Sequence, residues 1–225
     1  GHLPFRTAYF AWMALNLAAV AGFIVLWNGA DRTLTLTACC CSVPLAAAVA
    51  NGQDLALLLF LVAAALRLFR SKHYLLAGLV LSMCAIKYHL FIVVPLALVA
   101  QRLWRVLAGA GIGALALTAL SFIAGGPHWP AAYLKALTDP AINPSVDTMP
   151  ALAGSVSGLE YGNLILWVFG IAVAVACWFI ARRAPDLETA FAASLLGSLL
   201  LSYHSYVSDA ALLIPALLIL AGRRA

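Results

Sequence analysis

The chain has 225 residues, 65% of them hydrophobic and only 9% charged, with a formal net charge of +5. Soluble domains run about half apolar and a quarter charged, and a fold of this size in water leaves too much surface exposed to hide so much apolar material. Lipid is therefore the solvent for much of it. The basic residues sit in small groups at the ends of apolar runs, so the positive charge reads as membrane topology and not as a nucleic-acid surface.

A chain crossing lipid must satisfy its own backbone hydrogen bonds, which leaves helices or closed barrels. The apolar runs are continuous and rich in Leu and Ala, without strict alternation, and this predicts helices. In chain order we expect hydrophobic segments at 8–27, 34–50, 55–69, 74–87, 90–101, 106–124, 164–181, 187–203 and 207–222. They make one all-α polytopic transmembrane helix bundle of about nine segments covering 1–225. The chain opens on Gly1 with no basic n-region and no cleavage site, so no signal peptide is read. We expect part of the protein to lie upstream.

The fourth and fifth segments are short. At about 1.5 Å per residue, the run 74–87 reaches only about two-thirds of a ~30 Å hydrocarbon core. Lys87, Tyr88 and His89 lie between the two. Residues 74–101 thus form either one long helix or a short-helix hairpin. The positive-inside rule decides. With the hairpin, Arg32, Arg67, Arg70, Lys72, Arg102, Arg105, Arg182, Arg183, Arg223 and Arg224 share one side, against Arg6 and Lys135 on the other. A single helix would split the basic residues almost evenly, so the hairpin is expected. Nearly all the unusual polar chemistry then faces the opposite, extracytoplasmic side: residues 51–54, 87–89, the loop 125–163, and 203–209. That loop holds Pro127, Pro130, Pro140, Pro144 and Pro150 with Trp129, Tyr133 and Tyr161. Its aromatics suit the headgroup level, and 130–138 is predicted to be a short interfacial helix.

Lys87 is the strongest chemical signal. A lysine deep in a membrane segment costs about 2.5–3.5 kcal/mol on insertion scales, so it needs a watery cavity or a counter-charge. Its functional reading is a cation for the phosphate of a lipid-linked substrate, with His89 assisting. His204, within Tyr203-His204-Ser205-Tyr206, is a candidate hydrogen-bond donor or proton shuttle. Asp209 either orients His204 or pairs with Lys87. Gln53 and Asp54 open the third segment; Asp there also caps a helix, while Gln53 suits a sugar hydroxyl. Gly109 and Gly113 read as a close helix-packing pair. Cys39, Cys40, Cys41, Cys84 and Cys177 lie in apolar segments without metal-ligand spacing, so they read as packing residues; no metal and no cofactor is expected. Asn143 precedes Pro144, which removes the one candidate sequon.

Several of these features resemble glycosyltransferase family 87, membrane enzymes of the GT-C class. They are Gly52-Gln53 at a helix start, the basic stretch from Arg67 to Lys72, Ala77-Gly78 in a helix ending at Lys87, Pro95, and Arg102 with Arg105. The segment around Tyr203-His204 resembles the family's Tyr-His segment before its last helix, and the N-terminal stretch resembles the region just after the family's first outer loop. The resemblance implies a GT-C-like bundle on a bacterial plasma membrane. It implies a polyprenyl-phosphate sugar donor, a hexose such as mannose, and a lipid or glycan acceptor hydroxyl attacking with inversion. On it, His204 is catalytic, Lys87 and His89 bind the lipid phosphate, and Gln53, Asp54, Tyr203 and Asp209 bind substrate. It also implies that the general base lies upstream of Gly1 and that this stretch alone is inactive. Partners are the donor, the acceptor and membrane lipids, with no nucleic acid. Two other classes fit the composition: a transporter or flippase of a lipid-linked substrate, and a non-catalytic scaffold subunit. One-sided polarity disfavours transport, where polar groups line a through-path.

Overall fold

The computed structural model describes residues 4–28, 30–139, 143 and 145–222. Pro140, Pro144, Arg223 and Arg224, which entered the topology and loop readings, lie outside the described residues. Among the described residues every regular element is helical. The elements are α1 (Phe5–Leu26), α2 (Arg32–Cys40), α3 (Val43–Ala50), α4 (Leu55–Arg70), α5 (Tyr74–Ser82), a 3-10 segment Met83–Phe91, α6 (Val94–Ala100) and α7 (Trp104–Gly125). After them come α8 (Trp129–Thr138), α9 (Leu152–Val156), α10 (Gly162–Arg183), α11 (Leu187–Leu201), a 3-10 segment Val207–Leu212 and α12 (Leu213–Gly222).

Four described helices are long and apolar enough to cross a bilayer: α1, the continuous run Tyr74–Phe91, α7 and α10. Their outer faces stay apolar and uncovered; Leu115 on α7 is 72% exposed and Trp167 on α10 73%. Such surface is expected only where lipid replaces water. The protein is a polytopic helical membrane protein. The core sits around α4, where Leu55, Leu58, Leu59 and Val62 are fully buried. This helix packs on α1, α3, α5 and the 3-10 segments Met83–Phe91 and Val207–Leu212; a third, short 3-10 turn, Val146–Thr148, lies in the long loop.

Two expected segments are built differently. The run 34–50 is not one rod: α2 and α3 meet at a 61° bend. Pro44 at the second position of α3 has no N–H for a continuing ladder, and the Ser42 hydroxyl accepts from Leu45 N at 3.2 Å to start a new helix. The fourth segment extends beyond 87 to Phe91, with its second half in 3-10 form and Lys87 out of helical geometry (φ −123°, ψ 60°). The fifth shrinks to the seven residues of α6.

The region 74–101 turns back on itself. The α5 and α7 helices run in parallel: Leu75 meets Gly109, Gly78 meets Val106 and Ala110, and Ser82 meets Gly113. Two parallel neighbours require the chain between them to return, and α6 is that return. The backbones approach so closely that a Cβ on Gly78 or Gly109 would overlap the carbonyl oxygen of Val106 or Leu75. Small residues at such a crossing are the usual device of membrane helices.

Contacts sort the chain into two ends. At one, Arg70 pairs with Glu188 at 2.7 Å, the Gln101 side-chain amide donates to the Ala181 carbonyl, and Tyr74 lies by Arg102 and Arg105. At the other, Tyr9 OH donates to Ala50 O at 2.7 Å and Trp12 Nε1 to Gly52 O at 2.8 Å. These two bonds hold the turn at Gly52, whose φ of +66° favours glycine. The loop helix α8 begins at Trp129, one residue before the expected start. Trp129 packs on Phe122 of α7, so α8 belongs to the second end.

Candidate active site

Four pieces of chain converge at the second end: the turn before α4, the middle of the Met83–Phe91 segment, the stretch after α11, and the start of the Val207–Leu212 segment. Lys87 stands at the centre. Its departure from helical geometry leaves the ammonium facing α4 and the Val207–Leu212 segment. Nζ donates to Asp209 Oδ1 at 2.9 Å and to Gln53 Oε1 at 3.0 Å, and lies 3.4 Å from Asp54 Oδ1. An ammonium has three N–H donors; Asp209 and Gln53 take two of them, and the third has no hydrogen bond. The Asp54 contact is the loosest. It is an ion pair without hydrogen-bond geometry, and Asp54 Oδ1 has no hydrogen-bond partner.

Asp209 is 1% exposed. Its second oxygen, Oδ2, accepts from Tyr206 N at 2.8 Å, which fixes the entry into the 3-10 segment. Both oxygens are thus engaged within the protein. Of the roles read for Asp209 from the sequence, orienting His204, binding substrate or pairing with Lys87, the geometry has the pair with Lys87, and Asp209 holds that lysine in place.

An aromatic layer lies beside the ion cluster. The His89 ring contacts Tyr88, Tyr203 and His204, with centroids 5.7, 5.8 and 5.8 Å away. His204 in turn meets the Tyr206 ring edge-on at 5.2 Å. His89 is buried, and its Nε2 has no partner. Burying a polar nitrogen without a partner is costly, so this atom marks a place built for something else. His204 lies between α11 and the next 3-10 segment, its backbone carbonyl accepting from Ser202 Oγ at 2.8 Å. Burial lowers its imidazole pKa below the ordinary range; nearby Asp209 opposes the shift and Lys87 adds to it. Neutral His204 retains one N–H donor.

All seven residues singled out from the sequence, Gln53, Asp54, Lys87, His89, Tyr203, His204 and Asp209, come together here. Three others were overlooked as participants. Tyr88 joins its hydroxyl to that of Tyr203. Tyr133 of α8 brings its phenol near that of Tyr88, which sets the long loop beside the site. Ser205 is buried with an unpartnered Oγ. Tyr88 and Ser205 adjoin residues already marked, so adjacency was the available signal; nothing in the sequence connects Tyr133 to the cluster. Among the described residues no group of three or more His, Cys, Asp or Glu is placed to hold a metal ion.

An apolar cavity of about 400 Å³ opens from Tyr88 between the Tyr74–Phe91 run, α6 and α7, walled by Leu81, Phe91, Pro95 and Leu107 among others. A second, of about 370 Å³, touches the cluster through Asp209 and Tyr206. Two roomier cavities, about 480 and 590 Å³, lie at the basic end by Arg102 and Arg70. They share no residue with the cluster, and the chemistry decides against them as the site.

The family model for glycosyltransferase family 87 matches residues 1–207. The chain belongs to glycosyltransferase family 87. No curated protein and no solved structure matches it. Membership makes this membrane protein a glycosyltransferase, with a sugar donor and an acceptor. The match takes in Lys87, His89 and His204, and ends two residues short of Asp209.

Proposed function

We propose that this family 87 protein is a GT-C-type enzyme. It transfers a hexose, mannose on our reading, from a polyprenyl-phosphate donor to a lipid or glycan hydroxyl on the extracytoplasmic face of a bacterial plasma membrane. The observation that carries the proposal is the orphaned Nε2 of buried His89, whose ring meets His204 and whose neighbour Tyr88 lines an apolar cavity. A cation, an imidazole N–H and a second imidazole suit a phosphate, and an apolar slot beside them suits its prenyl tail.

The acceptor hydroxyl attacks the anomeric carbon with inversion, its proton passing to a general base. The bond from that carbon to the phosphate oxygen breaks with both electrons going to oxygen. Charge gathers on the leaving phosphate, where preorganised donors lower the barrier most. His204 donates to the leaving oxygen, and His89 Nε2, when protonated, gives a second bond. Lys87 supplies the cation. Its third N–H is not spent on a hydrogen bond, so it bonds the phosphate while Asp209 and Gln53 keep theirs, and the looser Asp54 gives way. Gln53, Asp54 and Tyr203 line the sugar, and Asp209 acts through Lys87.

The test is transfer of radiolabelled mannose from polyprenyl-phosphate mannose by the full-length protein in membranes. His204→Gln and His89→Phe should each lower transfer about 100-fold, the usual worth of a positioned proton donor. Turnover like the parent in both variants would remove the two imidazoles from the site and end the proposal.

A further inference from the structure

The cavity of about 370 Å³ lies between α11, the start of the Val207–Leu212 segment and the head of α12. Its walls are Leu196, Leu199, Leu200 and Leu213, and its polar end is Ser205, Tyr206 and Asp209. It shares no lining residue with the cavity that opens from Tyr88. The site is therefore met by two separate apolar slots, one at the aromatic layer through Tyr88 and one at the ion cluster through Asp209. Asp209 belongs to both the slot and the cluster, since its Oδ1 holds Lys87.

Ser205 makes this slot more than a gap between helices. It is 3% exposed, it lines the slot, and its hydroxyl has no partner. A buried hydroxyl without a partner costs free energy that a hydrophobic residue would not. An oxygen or N–H arriving from within the slot relieves that cost. The same molecule must be apolar along the leucine walls, because a soluble glycan would leave its own hydroxyls unpaired there.

We infer that this slot holds an acyl chain of a membrane-anchored acceptor, whose head group bonds to Ser205 and presents its hydroxyl to the ion cluster. The inference rests on the reading of the cluster as the transfer site, with the donor's prenyl tail in the slot at Tyr88. It narrows the acceptor from any glycan to a glycolipid.

The test uses the full-length protein in nanodiscs with two photoreactive probes of equal acyl length, a diazirine glycosyl diacylglycerol and a diazirine phosphatidylcholine. A third arm measures binding of radiolabelled polyprenyl phosphate. The glycolipid should label peptides from α11 and from residues 205–213 about tenfold more than phosphatidylcholine, a preference of the size expected for a fitted pocket. Leu200→Trp fills the slot from a half-exposed position and should remove that preference without changing polyprenyl-phosphate binding. Leu196→Trp serves as an independent variant of the same kind. Equal labelling by the two lipids marks ordinary boundary lipid and overturns the inference, as does capture of the polyprenyl probe by these peptides. Labelling that survives both tryptophan variants overturns it too. Failure of polyprenyl phosphate to bind anywhere would instead defeat the transfer reading, while the labelling arm still decides what the slot takes.

Discussion

Lys87 and Asp209 are 122 positions apart in the chain and share a 2.9 Å hydrogen bond between buried charges. Breaking such a pair from one side is far worse than replacing both partners, because it leaves a charge buried alone; the cost is about 3–5 kcal/mol. Lys87→Met should therefore lower both stability and transfer. Lys87→Met with Asp209→Asn should recover most of the stability and none of the transfer. Thermal melts in detergent, read beside mannose transfer, separate the two effects. A double variant as unstable as the single would show that Lys87 is not held chiefly by Asp209.

The Arg70–Glu188 pair at the basic end is the contrasting case. Both side chains are about a quarter exposed, and exposed pairs contribute about 0–1 kcal/mol. Arg70→Gln should move the melting midpoint by no more than a few degrees and leave transfer unchanged. A loss as large as that of Lys87→Met would mean the basic end is drier than its geometry shows.

The α5–α7 crossing gives a prediction with an internal control. Gly109→Leu forces apart two backbones in contact, and overpacking of this kind costs about 1–3 kcal/mol or more. Gly111 lies on the same helix, and a Cβ added there would meet nothing within 4 Å, so Gly111→Leu should be tolerated. Folded yield and melting temperature of the two variants check this. Equal outcomes would show that α5 and α7 do not meet through Gly109.

His204 sets a pH dependence. Burial lowers its pKa in the folded protein, while the unfolded chain titrates near 6.5. Below that value the unfolded state takes up a proton that the folded state resists, so stability falls as pH drops through about 6.5 and is retained above it. The melting temperature measured from neutral to mildly acidic pH should decline, and less steeply in His204→Gln. An unchanged slope in that variant would assign the decline to other groups.

Tyr133 ties α8 to the site through Tyr88. Tyr133→Phe removes the hydroxyl that faces Tyr88, a polar contact worth up to about 1 kcal/mol, and should raise amide exchange in α8 while leaving α4 protected. Exchange measured by mass spectrometry reads the two regions separately. Equal protection in variant and parent would show that Tyr133 does not hold α8.

Much of this molecule is legible in the sequence because lipid makes strong demands. Apolar runs must be helices, and Lys87 and Asp209 must find partners. The grouping of Arg and Lys at one set of helix ends led to the return at 74–101. What stayed hidden depends on three-dimensional packing. The break between α2 and α3 has a local signal in Ser42 and Pro44, but hydropathy averages over it. The setting of Lys87 needs Gln53, Asp54 and Asp209 in position together. The slot beside Ser205 is a space between helices, and no residue announces a space.

The parallel course of α5 and α7 also bears on how the protein is made. The seven residues of α6 reach only about 10 Å at helical rise, too little for the insertion machinery to accept as a segment in its own right. Polypeptide from Lys87 to Gln101 then waits, only partly embedded, until α7, α10 and α11 have entered and offer α6 its surfaces. The ion cluster is thus completed only after α11 and the Val207–Leu212 segment arrive with Asp209, and the enzyme stays inert until they are in place.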